Sequence, residues 1–162
     1  MCLGGHLAYR CALDPRVSAA VTYFATDLHS ATLGLGQKDD SLARAGEIKA
    51  ELAMIHGTKD NHVPPEGRDL IRKTLRDKGV VFSWYEVAGA QRKCFIYWQG
   101  DEAWNCDWFD ADAFIRDELS KGRYDPAITK ICFEILLELF GRSLKLDLGP
   151  HDGAEQKIED IC

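Results

Sequence analysis

Residues 1–11, Met1-Cys2-Leu3-Gly4-Gly5-His6-Leu7-Ala8-Tyr9-Arg10-Cys11, hold a cysteine, a pair of glycines and then an apolar run at helical spacing. Cys2 stands where a strand would turn into a helix. At such a turn the free N–H groups and the dipole of the helix start stabilise a thiolate and can hold an oxyanion, with the Leu3 N–H as one donor. One cysteine before two glycines also occurs by chance as a small residue at a helix start, so the rest of the chain has to decide. The helical pattern runs from Gly5 to Leu13 and stops at Asp14-Pro15.

Downstream, strands and helices alternate. Val17–Ala25 (VSAAVTYFA) is small, β-branched and aromatic, which predicts a strand buried on both faces. A polar, glycine-rich stretch covers 26–44, and a second buried strand is expected over Glu51–His56, ended by Gly57. PPEGRDLIRKTLRDKG is an amphipathic helix with prolines in its first turn and Gly79 as its stop. VVFSWYEVAG is a third strand. DPAITKICFEILLELFGRSL is a long helix with Ile128, Ile131, Ile135, Leu136 and Leu139 at helical intervals. This alternation predicts an α/β fold, a parallel sheet flanked by helices. Three strands are few for such a sheet, and the edge near the first residue has no cover, so the expectation is an incomplete fold lacking its N-terminal strands.

The bulk numbers narrow the function. The 162 residues are 46% hydrophobic and 28% charged, ordinary for a folded domain, and the net charge of −6 disfavours nucleic acid or an anionic membrane as partner. No apolar run reaches the roughly 18 residues that a bilayer span needs, and no secretion signal is legible. Cysteines 2, 11, 94, 106, 132 and 162 form no paired ligand spacing. They read as reduced thiols, and a cytoplasmic location is expected. Zinc held by Cys94, Cys106 and His62 is a rival reading, but the eleven residues between the two cysteines match no usual ligand spacing.

A second chemical stretch is Met54-Ile55-His56-Gly57-Thr58-Lys59-Asp60-Asn61-His62-Val63-Pro64-Pro65. A buried strand ends and a short loop carries Asp60 ahead of a helix. In open α/β sheets functional groups gather beyond the carboxyl ends of strands. There Asp60 suits the orienting acid of a nucleophile–histidine–acid triad, or simply shapes the turn.

Taken together, Cys2-Leu3-Gly4-Gly5-His6 and HGTKDNHVPP at this separation resemble the dienelactone hydrolase family of the α/β-hydrolase fold, in particular its fungal branch. The likeness runs over 1–91 and resumes at AFIRDELSKGRYD. It implies a partial hydrolase domain over 1–148, an atypical insert at 92–111 and a polar tail over 149–162. It also implies a C-terminal half that starts at the nucleophile elbow. By this resemblance Cys2 matches the nucleophile, Asp60 the triad acid and the Leu3 N–H an oxyanion donor, with no metal or organic cofactor. The substrate class is small carboxylic esters or lactones. The second oxyanion donor and the family's substrate-binding arginine fall outside the chain.

The resemblance also exposes a gap. The family places a histidine directly before Ala-Phe, yet Asp112 precedes Ala113-Phe114, and no histidine occurs from Gln91 to Ala113. The intervening text holds Trp98, Trp104 and Trp108. It reads either as an aromatic lid or as a translated intron. A histidine codon split by GTAAGTGC yields Arg92-Lys93-Cys94, and an ending in GCAG yields Ala111-Asp112, so removal of 92–111 with the split codon restored in place of Asp112 gives back AQHAF. Without that base a thiolate loses proton removal and proton return. His62, two residues beyond Asp60, is the first substitute to consider, ahead of His6, His29, His56 and His151. A related cysteine peptidase or amidase chemistry is the second reading. A non-catalytic, mis-spliced or interaction product of hydrolase ancestry is the third.

Overall fold

A computed structural model describes residues 2–32, 39–90 and 126–144. The insert at 92–111, Ala113-Phe114, His151 and the tail lie outside the described residues. The order is α1 (Leu3–Cys11), β1 (Ala19–Tyr23), a 3-10 turn (Ala43–Glu47), β2 (Glu51–Gly57), α2 (Pro65–Asp77), β3 (Phe82–Val87) and α3 (Pro126–Ser143). The strands form a parallel sheet in the order β1-β2-β3, with Ala19 opposite Glu51 and Leu52 opposite Phe82.

Strand periodicity sorts the side chains into two layers. On one face Ala20, Leu52 and Met54 meet Tyr9 and Ala12 of α1, Ile71 and Leu75 of α2, and Leu28, Leu42 and Ile48 from the connection before β2. On the other, Phe24, Val21, Tyr23, Ile55, Tyr85 and Val87 pack with Ile128, Cys132 and Ile135 of α3. The apolar stripe 128, 132, 135, 139 is what seats α3 on the sheet. Two polar contacts pin α3 further: the Tyr23 hydroxyl donates to the Cys132 carbonyl at 2.9 Å, and Arg142 grips both oxygens of Glu51 at 2.6 and 2.9 Å.

The central strand matches its expectation, since every residue of β2 after Glu51 is buried. β1 does not. Its burial alternates, because it is an edge strand among the described residues and has only one hydrogen-bonded neighbour. β3, the other edge, is half-buried along most of its length. Helix α2 begins at Pro65 with a missing N–H where none is needed, and the chain leaves it through Gly79 at φ 71°.

Candidate active site

The site is built at the carboxyl ends of β1 and β2, which are parallel and adjacent. At the first, the Cys2 N–H donates to the carbonyl of Tyr23, the last residue of β1, at 3.0 Å. Cys2 is the N-cap of α1 and takes φ 57° and ψ −123°, a conformation that L-residues avoid. Its thiol is half-buried. Such a backbone persists only when the surroundings over-determine it. Here the Cys2 carbonyl accepts from His6 N–H at 3.1 Å and Thr26 N–H at 3.4 Å. Gly5 allows the close approach: a Cβ there would lie 2.6 Å from the Tyr23 carbonyl oxygen. Leu3, as first residue of α1, has its N–H outside the helix's own ladder, so it is available to an anion beside the thiol.

At the second end, Asp60 follows Gly57 by three residues and is only 2% exposed. Its Oδ1 accepts the His62 N–H at 2.9 Å and its N–H donates to Gly57 O at 3.1 Å, so the side chain closes its own turn. Its Oδ2 is buried and has no hydrogen-bond partner among the described residues. A buried acceptor left open is costly and is the place where a ring N–H could bind. The loop is also tied to β3. Thr58 N–H reaches Val87 O and Lys59 N–H reaches Ala90 O, each at 3.0 Å, and Gly89 N–H reaches Thr58 Oγ1 at 2.9 Å. Gly57 is required where the chain leaving β3 crosses over the end of β2, since a Cβ would sit 2.4 Å from the Ala90 carbonyl oxygen.

The histidines separate clearly. His6 is buried with both ring nitrogens engaged, on Thr26 O at 2.8 Å and Ser41 Oγ at 2.7 Å, and burial lowers its pKa below 6.5. His56 is fully buried within β2, rather than at its end, and stacks on Trp84 at 4.7 Å between ring centroids. His29, in the turn after β1, packs against Gly67 of α2 with its Nδ1 buried. His62 is exposed, and its backbone N–H donates to Asp60 Oδ1.

One buried charge was not anticipated. Arg68 of α2 is 5% exposed, donates from Nη1 to Val63 O at 2.7 Å, and lies 3.6 Å from Glu86 of β3. It braces the far end of the Asp60 loop. The signal was present in the helix pattern, because position 68 shares the buried stripe of Ile71 and Leu75. Among the described residues no group of three or more His, Cys, Asp or Glu side chains is placed to hold a metal ion, and no helix is long and apolar enough to cross a membrane. Cys94 and Cys106 lie outside the described residues.

A parallel sheet between helices, with a left-handed residue turning into a helix at its carboxyl edge, is the α/β-hydrolase arrangement, and comparison with solved structures agrees. A Klebsiella pneumoniae protein named "Putative Dienelactone Hydrolase" superposes with a TM-score of 0.63 at 19% identity, over 88% of this chain and 50% of that one. A dienelactone hydrolase-like promiscuous phosphotriesterase from metagenomic libraries gives 0.59 at 17% identity, over 88% and 50%. The Dienelactone hydrolase family profile matches residues 1–91, and the chain belongs to that family. A Saccharomyces cerevisiae protein named "Putative carboxymethylenebutenolidase" is 48% identical over 165 aligned positions, covering 100% of this chain and 53% of the yeast protein. The chain thus spans about half the length of that relative.

Proposed function

We propose that the chain carries the nucleophile and the acid of a hydrolase acting on small carboxylic esters or lactones, with Cys2 as nucleophile, Leu3 N–H as an oxyanion donor and Asp60 as the acid of a Cys-His-Asp triad. The observation that supports this reading is that Cys2, held at φ 57° on the last carbonyl of β1, and Asp60, buried past the end of β2 with no partner for Oδ2 among the described residues, follow the carboxyl ends of adjacent parallel strands. Cys2 thiolate attacks the carbonyl carbon and the Leu3 N–H stabilises the oxygen that becomes negative. Asp60 orients an imidazole that takes the thiol proton, returns it to the leaving group and then activates water. The yeast relative's name, carboxymethylenebutenolidase, supports a lactone as one substrate. The scattered spacing of the six cysteines supports a reducing, cytoplasmic setting, and the acidic chain favours neither nucleic acid nor an anionic membrane as partner.

The absence of histidine from Gln91 to Ala113 favours a second reading, an impaired or non-catalytic product of hydrolase ancestry. One experiment separates the two. The chain is treated with p-nitrophenyl acetate, and both the acyl adduct, by mass spectrometry, and nitrophenolate release are followed. The hydrolase reading expects an adduct on Cys2, lost in Cys2→Ala. It also expects turnover to rise about a hundredfold or more when residues 92–112 are replaced by one histidine. An adduct that survives Cys2→Ala overturns the assignment. An adduct on Cys2 with no gain from the added histidine leaves the second reading in possession.

A further inference from the structure

His6 lies four residues after Cys2, and its ring does more than fill space. The Thr26 carbonyl can only accept, so Nδ1 carries a proton and donates to it at 2.8 Å. Ser41 Oγ receives Arg10 Nη1 at 2.9 Å and lies 2.7 Å from His6 Nε2, to which its hydroxyl donates when the ring is neutral. Burial favours the neutral ring, and in that state the proton sits on Nδ1, facing Thr26 O.

The second fact is what Thr26 does with its other polar group. Its N–H donates to the Cys2 carbonyl at 3.4 Å, and the same carbonyl receives His6 N–H at 3.1 Å. A closed circuit results: Cys2 carbonyl to Thr26 N–H, Thr26 carbonyl to the His6 ring, His6 N–H back to the Cys2 carbonyl. Ser41 and Arg10 extend the circuit. Arg10 also bonds the Asp39 carbonyl at 3.2 Å and pairs with the Asp39 carboxylate, which Arg44 holds from the other side at 2.8 Å. Thus a strained residue is gripped by a loop that is itself gripped by the helix the residue begins.

We propose that His6 is a positioning residue for Cys2: through Thr26 it holds the left-handed turn that presents the thiol. The proposal rests on Cys2 being the reactive thiol, and it assigns His6 no contact with substrate. Of the two bonds made by the ring, the one to Thr26 carries the effect, because only that bond closes on Cys2.

Site-resolved alkylation tests it in the full chain. Trypsin cuts after Arg10 and so separates Cys2 from Cys11, which is exposed at the other end of the same helix and serves as internal reference. With iodoacetamide at pH 7, His6→Leu is expected to lower the Cys2 to Cys11 rate ratio by about tenfold, as a thiol loses the helix-start N–H groups that favour its thiolate. His6→Asn puts an amide N–H near the Nδ1 position and is expected to restore the ratio to within about threefold of wild type. His6→Gln reaches toward Ser41 instead and is expected to behave like His6→Leu. Equal ratios in His6→Asn and His6→Gln overturn the proposal even if His6→Leu does not fold. So does a wild-type ratio in a folded His6→Leu protein. The acyl-adduct experiment fails separately: if Cys2→Ala keeps the adduct, the catalytic reading falls while the ratios still report whether His6 sets the turn.

Discussion

After β1 the chain passes through left-handed backbone at Phe24, Asp27 and Ala31, and Cys2, bonded to the same strand end, makes a fourth; none is glycine. After β2 the Asp60 loop has no non-glycine residue with positive φ, and its burden is instead a buried carboxylate oxygen without a partner among the described residues. Each left-handed non-glycine residue costs of order 1–3 kcal/mol. An unsatisfied buried acceptor costs about the same or more. The two halves of the site are therefore held in tension by different means, one by torsion and one by desolvation. The first can be relieved by a glycine, the second by a hydrogen-bond donor or by removal of the charge.

The largest test of this contrast addresses the close contact that both ends share. Gly5→Ala and Gly57→Ala each push a methyl into a backbone carbonyl, and each is expected to lose about 2–3 kcal/mol in denaturant unfolding. Gly4→Ala meets nothing within 4 Å and is expected to gain up to about 1 kcal/mol. Equal effects at Gly4 and Gly5 would break the comparison on the β1 side.

Next in size is Asp60→Asn. The amide oxygen keeps the bond from His62 N–H while the buried charge is removed, so stability is expected to rise by about 1 kcal/mol, as at sites where function opposes stability. Asp60→Ala also loses the turn's hydrogen bond and should fall below Asp60→Asn by about 1 kcal/mol. A drop for Asp60→Asn, read as a lower unfolding midpoint, would mean the open oxygen has a partner after all.

The β1 side carries a pH signature. Burial lowers the His6 pKa in the folded protein below the ordinary 6.5, so the unfolded chain binds the proton more readily. Stability is then full above pH 6.5 and is lost as pH falls through the lowered folded value. Between pH 7 and 5 the melting temperature should fall, and His6→Asn should flatten that slope. On the α3 side the sign reverses. Burial raises the Cys132 thiol from 9.0 to about 11, so its contribution is full below pH 9 and is lost as pH rises toward 11. Cys132→Ala should remove that alkaline slope.

The smallest effect is Ala31→Gly. It trades a left-handed alanine at φ 55° for a residue that adopts this backbone freely, against the extra entropy of a glycine in the unfolded chain. A gain of a few tenths to about 1 kcal/mol is expected. Phe24→Gly should not share it, since Phe24 is fully buried and its packing outweighs the torsion.

Much of the fold was legible because its signals are local. The prolines and Gly79 delimit α2, and the unbroken apolar run of β2 belongs to a central strand. β1 was misjudged as buried on both faces because composition reports which residues tolerate burial, not which strand lies at an edge. The proposed pairing of Cys2 with Asp60 is read from the spacing of two motifs. The roles of His6, His29 and Arg68 were not legible, because their meaning lies in Thr26, Ser41, Gly67 and Glu86, which sequence distance hides.

The crossing at Gly57 has a practical consequence. Because Lys59 N–H is bonded to Ala90 O, the polypeptide is moored beside the Asp60 loop three residues after the end of β3. Each further residue extends the chain by at most about 3.5 Å. A short graft after Ala90 therefore starts already in the neighbourhood of Asp60, and a designer seeking to install a base can search a handful of tether lengths rather than redesign the scaffold.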